Sequence, residues 1–127
     1  MNMEFINFDD NGSRVYSDMV KLNDGHLYLS GLISAELDTG KLKLGTIAEE
    51  TAQVLGNLKT ILEKYGSDMN HIIRLQVLLS DFNERDEMNA EYVKHFDKEH
   101  LPSRLCYGVN GLASGCKIEI MADAVVK

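Results

Sequence analysis

The sequence predicts an α+β fold: a mixed, mostly antiparallel β-sheet with two helices packed on one face. Two stretches, Thr46 to Tyr65 and Asp81 through Lys98, repeat apolar residues at helical spacing. Five substantial segments, with a shorter one before them, alternate or are rich in branched residues, as strands are. Their order is β-β-β-α-β-α-β-β.

Met3–Phe8 reads as a short edge strand, and Asp9-Asp10-Asn11-Gly12-Ser13 as a turn. Val15–Lys21 and His26–Ile33 form a hairpin across Leu22-Asn23-Asp24-Gly25, where Asp-Gly suits positive φ. In the first helix Thr46 and Glu49 have capping-box spacing. Ile47, Thr51, Val54, Leu55, Leu58, Ile61, Leu62 and Tyr65 make one stripe, and Gly66 follows as the C′ residue. His71–Leu79 is a branched, apolar strand. In the second helix Met88, Tyr92 and Phe96 stack at i+4, and Pro102 closes the region. Ser103–Val109 and Lys117–Val126 are expected to pair as an antiparallel hairpin, with Asn110-Gly111 and Ser114-Gly115 supplying the turn.

The chain of 127 residues suits a single domain spanning 1–127, able to bury roughly two thirds of its unfolded surface. Thirteen Lys+Arg against 20 Asp+Glu give a net charge of −7, which argues against a nucleic-acid partner. No apolar run reaches the roughly 20 residues of a membrane span, so no membrane partner is expected. Glu4, Asp9, Asp10, Asp18 and Asp24 interrupt the first thirty residues, so no secretory leader is expected either. Cys106 and Cys116 make neither a disulfide framework nor a zinc spacing, and a reducing cytoplasm is the expected compartment. His26, His71, His95 and His100 are scattered, with no metal-pair spacing, so no metal is expected.

Side chains alternate across a strand, so two helices cover only one side of the sheet. Leu27 and Leu29, Leu75 and Val77, Leu105 and Tyr107, and Ile118 and Ile120 are assigned to the helix side. The opposite side then carries Tyr28, Leu32, Cys106 and Met121 among Ser30, Arg74, Arg104 and Glu119. That mixture is too apolar for open water and too charged for a dry core, and it suits a subunit interface containing a polar site. On it Arg104 offers a planar, permanently charged grip for a carboxylate, and Glu119 a group able to orient water or take its proton. A structural Arg104–Glu119 salt bridge is the plainer alternative.

Pro102-Ser103-Arg104-Leu105-Cys106 resembles the Pro-x-Arg-x-Cys segment of the Rid proteins, the reactive intermediate deaminases or YjgF-type family. Gly111-Leu112 and Lys117-Ile118-Glu119-Ile120, with Ala122, are similar to that family's closing strand. Tyr16-Ser17, Leu29-Ser30-Gly31, the Thr51 to Gly66 helix and Phe82, Asn89, Tyr92 and Phe96 extend the likeness over nearly the whole chain. The resemblance implies a chorismate-mutase-like fold of the bacterial trimeric type, with sites between subunits of a homotrimer. It also implies hydrolysis of 2-imino and 2-enamino acids, such as 2-iminobutanoate and 2-iminopropanoate, to 2-keto acids and ammonia, without cofactor. Arg104 then takes the carboxylate-binding position and Glu119 the one that holds the attacking water. Cys106 contributes its backbone carbonyl, while Tyr16, Ser30, Gly31 and Asn89 take substrate-binding positions. Asp18 and Glu50 stand where many members have Gln, Ala113 where many have Pro, and Asp123 where an apolar residue is usual. A non-catalytic sensor of carboxylate metabolites and a ribonuclease or translation inhibitor are the alternatives.

Overall fold

The computed structural model describes residues 1–9 and 14–127; most of the turn expected at 9–13 lies outside them. Six strands and two helices follow in the expected order. They are β1 (Met3–Ile6), β2 (Met19–Leu22), β3 (His26–Leu29), α1 (Ile47–Lys64), β4 (Ile72–Leu79), α2 (Arg85–Tyr92), β5 (Ser103–Gly108) and β6 (Ile118–Val125). They build one sheet in the order β1-β2-β3-β6-β4-β5. All pairings are antiparallel except β4 with β5.

This order corrects the expected hairpin. β5 and β6 do not pair; β4 runs between them. A helix joins β4 to β5, and strands joined by a helical crossover lie parallel, which leaves β5 at the sheet edge. β6 instead runs down the middle, with Ile118, Ile120, Ala122 and Ala124 all buried, as a central strand requires.

α1 forms where its stripe and caps predict. Thr46 Oγ1 accepts from Glu49 N at 3.1 Å, and Glu49 Oε1 accepts from Thr46 N at 2.9 Å. Gly66 has φ +84°, the left-handed conformation that ends such a helix at little cost. Val54, Leu55, Leu58 and Leu62 seat α1 on Leu27, Leu75, Val77 and Ile120. Each such buried side chain contributes about 1.5–3 kcal/mol. The second helix is shorter than its periodicity predicts. A 3-10 turn at Phe82–Glu84 leads in, another at Val93–His95 leads out, and Phe96 is extended. The Asp97 side chain then accepts from Glu99 N at 3.0 Å, offering the backbone an alternative to further helix. Met88, Tyr92 and Phe96 are nonetheless all buried, with the Tyr92 and Phe96 rings 4.6 Å apart.

The assignment of sheet faces needs three corrections. β5 is turned over: Arg104 and Cys106 align with buried Leu75 and Val77 on the helix side, while Leu105 and Tyr107 are exposed on the other. Leu32 bridges to Ile120 and packs on the core, because the strand stops at Leu29 and its alternation does not carry through Ser30-Gly31. Simple alternation along His71–Leu79 puts Ile73 with Leu75 on the helix side and Ile72 opposite, but a register shift between Ile72 and Arg74 buries Ile72 and leaves Ile73 exposed.

Candidate active site

Two clusters contain the residues singled out by sequence, and they lie on opposite sides of the sheet. The first is on the open side. Tyr16, Ser30, Gly31, Glu119 and Met121 line a cavity of about 310 Å3. Glu119 projects there because its neighbours Ile118 and Ile120 point into the core. Partial burial pushes its carboxyl above the ordinary range. Gly31 makes room for it: a Cβ at that position would overlap the Glu119 carboxylate. The Ser30 hydroxyl donates to the Ser17 carbonyl at 2.7 Å and Ser30 N to the Asp18 carbonyl at 2.9 Å, pinning the segment that carries Tyr16. Asp18 stiffens that segment further, accepting from Arg14 Nη2 at 2.6 Å and from Phe8 N at 2.7 Å.

The second cluster lies where edge strand β5 meets α2. Arg104 Nη1 donates to Asn89 Oδ1 at 2.8 Å, and the guanidinium carbon lies 4.8 Å from the centre of the Tyr92 ring. Burial raises the Tyr92 phenol above its ordinary range, against the opposing pull of the Arg104 charge. Cys106, half-buried on the same side, packs against the core.

Among the described residues, no carboxylate forms an ion pair with Arg104 and no cation forms one with Glu119. The salt-bridge alternative is thereby removed. Arg74, the other arginine of the sheet, is neutralised by Asp123 at 2.7 Å. No group of three or more His, Cys, Asp and Glu side chains able to hold a metal comes together among the described residues. None of the described helices is long and apolar enough to cross a membrane.

These two clusters sit on a fold that other proteins share. The sequence profile of the family described as Endoribonuclease L-PSP matches residues 11–126. The chain belongs to that family, the Rid proteins. Human 2-iminobutanoate/2-iminopropanoate deaminase is 38% identical to this Rid chain over 110 residues, covering 87% of this chain and 79% of the human protein. The rat protein of the same name is 40% identical over 110 residues, with the same 87% and 79% coverage. Among solved structures, yeast Mmf1 superimposes with a TM-score of 0.85 at 31% identity, covering 99% of this chain and all of that one. YyfA of Yersinia pestis, described as a protein of unknown function of the conserved Rid family, gives 0.87 at 29% identity over 98% of this chain and 100% of its own. The fold of this Rid protein is accordingly the chorismate-mutase-like α+β type.

Sequence reasoning singled out Arg104, Glu119, Tyr16, Ser30, Gly31, Asn89 and Cys106, and the structure divides them into Tyr16, Ser30, Gly31 and Glu119 on one side and Asn89, Arg104 and Cys106 on the other. It missed Tyr92, read only as core, and it placed Met121 on the face of Glu119 without giving it a part in the site. Both were signalled by spacing. Tyr92 is i+3 from Asn89 on one helix, and Met121 is i+2 from Glu119 on one strand.

Proposed function

We propose that this protein hydrolyses 2-imino acids, and the 2-enamino acids in equilibrium with them, to 2-keto acids and ammonia. The observation that carries this reading is a pair of opposite charges left uncompensated among the described residues: Arg104 without an acid and Glu119 without a base. An ionised arginine kept free of carboxylates is poised for an acidic ligand. An isolated carboxylate in a small, half-buried cavity is poised for water. The deaminase names of the human and rat relatives supply the substrate class.

The chemistry asks little of the protein. Arg104 grips the substrate carboxylate through its remaining N–H groups, a charge-assisted contact contributing about 1.5–3 kcal/mol. Glu119 orients a water against the C=N carbon and takes one of its protons as the C–O bond forms. The nitrogen gains a proton to give a carbinolamine. Loss of ammonia from that adduct leaves the 2-keto acid, so imine and water balance keto acid and ammonia. Holding both reactants supplies most of the acceleration.

One chain does not bring both charges onto one ligand, because the sheet separates them. We therefore assign the site to the junction between copies, with Arg104, Asn89 and Cys106 from one and Tyr16, Ser30, Gly31 and Glu119 from the next. The exposed Tyr28, Ile73, Leu105 and Tyr107 on the open side give such an assembly its apolar contact. A closed ring of three is the arrangement proposed. Light scattering at micromolar concentration is expected to give the trimer mass; a monomer mass contradicts it.

The activity is tested by letting a threonine dehydratase generate the four-carbon imine and following keto-acid release. The wild-type protein is expected to accelerate release, and Arg104→Ala to lose that effect. No acceleration by the wild type ends this reading. RNA cleavage is disfavoured for this chain by its net charge of −7 and by the pairing of Arg74 with Asp123.

A further inference from the structure

We infer that Asn89 and Tyr92 are positioning residues: together they form a carboxylate-free cradle that fixes the plane of the Arg104 guanidinium and leaves its whole charge for an acidic ligand. This rests on the deaminase reading of the same site and reassigns Asn89, which the sequence placed on the substrate.

The geometry supports it in three ways. First, Asn89 Oδ1 takes one edge of the guanidinium at 2.8 Å, and the Tyr92 ring takes one face, the guanidinium carbon lying 4.8 Å from its centre. One in-plane contact and one face contact fix both the position and the tilt of a planar group. Second, the cradle is rigid. Asn89 and Tyr92 are three residues apart on α2, and buried Met88 and Tyr92, with Phe96 beyond, bolt that helix to the core. Third, neither partner is an acid. Proteins commonly hold a half-buried arginine with Asp or Glu, as Arg14 is held here by Asp18; the exposed Arg74 likewise pairs with Asp123. An amide oxygen and an aromatic face restrain the cation without cancelling its charge. Glu91, the acid between Asn89 and Tyr92 on the same helix, is itself occupied, accepting from His95 at 2.8 Å and Lys94 at 3.4 Å.

The cradle is tested by calorimetric binding of 2-ketobutyrate, the acid product, and of its neutral amide, a readout that does not depend on turnover. Asn89→Asp puts a carboxylate on the guanidinium and is expected to weaken 2-ketobutyrate on the order of a hundredfold while leaving the amide unchanged. Asn89→Ala and Tyr92→Leu are each expected to weaken the acid about tenfold. Tyr92→Phe, which keeps the ring, is expected to restore most of what Tyr92→Leu loses. Thermal unfolding of each variant separates these effects from misfolding. Asn89→Asp binding the acid as tightly as wild type, or acid and amide weakening together, overturns the cradle. Imine turnover by the wild type, measured separately, decides the deaminase reading: turnover with unaltered Asn89→Asp binding removes the cradle alone.

Discussion

Arg104 and Glu119 occupy opposite faces of one sheet, with β4 running between their strands. Arg104 aligns with Leu75 and turns toward α2; Glu119 aligns with Leu78 and turns away from it. The strand between them keeps one chain from bringing both groups onto one ligand, which is why the site is proposed where two copies meet.

The guanidinium fork matters beyond its charge. Arg104→Lys keeps the cation but loses the planar edge on Asn89 and the stacked face on Tyr92. It is expected to lower kcat/KM for the imine by at least about tenfold, mostly through KM. Steady-state kinetics on the dehydratase-generated imine measure this, and wild-type kinetics for the lysine variant contradict it.

Gly31 is there for Glu119. In Gly31→Ala the new methyl would overlap the carboxylate, which must swing aside. The displaced end is flexible and half-buried, so Tm is expected to move by no more than about 3 °C. With Glu119 in its proposed water-orienting role, its displacement is expected to cost on the order of a hundredfold in kcat. A large loss of Tm with kcat intact reverses the assignment.

Glu119 carries a cost in stability. Burial raises its folded pKa above the ordinary 4.5, so the folded protein holds that proton more tightly than the unfolded chain. Its favourable contribution is complete below 4.5 and is lost as pH rises through the higher folded value. Glu119→Gln is therefore expected to raise Tm at pH 7 and to lose that advantage as pH falls toward 4.5. With Glu119 as the proposed base, which must be ionised to act, the same shift is expected to place the acid limb of the wild-type kcat/KM profile above 4.5. Thermal scans across pH and the rate profile check both signs.

Glu50 plays a structural part. It is fully buried and accepts from Gly45 N at 3.1 Å and Lys117 N at 2.8 Å, tying the start of α1 to the start of β6. Glu50→Ala leaves two backbone donors unpaired, a cost of about 3 kcal/mol, or roughly 10 °C in Tm. Glu50→Gln, which retains an acceptor oxygen, is expected to lose less. Equal Tm values for Glu50→Ala and wild type rule this out.

What was legible in the sequence follows from which patterns are local. Capping, stripe and C′ glycine all lie in α1 or within two residues of its ends, so its extent is readable to within a residue or two. The alternation of β6 identified the face of Glu119 because its apolar set is unbroken. β5 misleads: Leu105 and Tyr107 are the greasier set and are assigned to the helix side, yet they face outward while Arg104 turns under α2. Only the partner offered by Asn89 and Tyr92 settles that choice, and it lies 12 to 15 residues away in sequence. The insertion of β6 between β3 and β4 is likewise a long-range pairing that the turn residues at Asn110-Gly111 do not encode.

Complementation tests the shared site most directly. Arg104→Ala and Glu119→Gln are each expected to be inactive alone. Co-expressed so that their chains mix, they are expected to recover about one quarter of wild-type activity, since random assortment pairs an intact Arg104 with an intact Glu119 at one junction in four. No recovery from mixed assemblies, with both chains shown to be present, contradicts a site built from two copies.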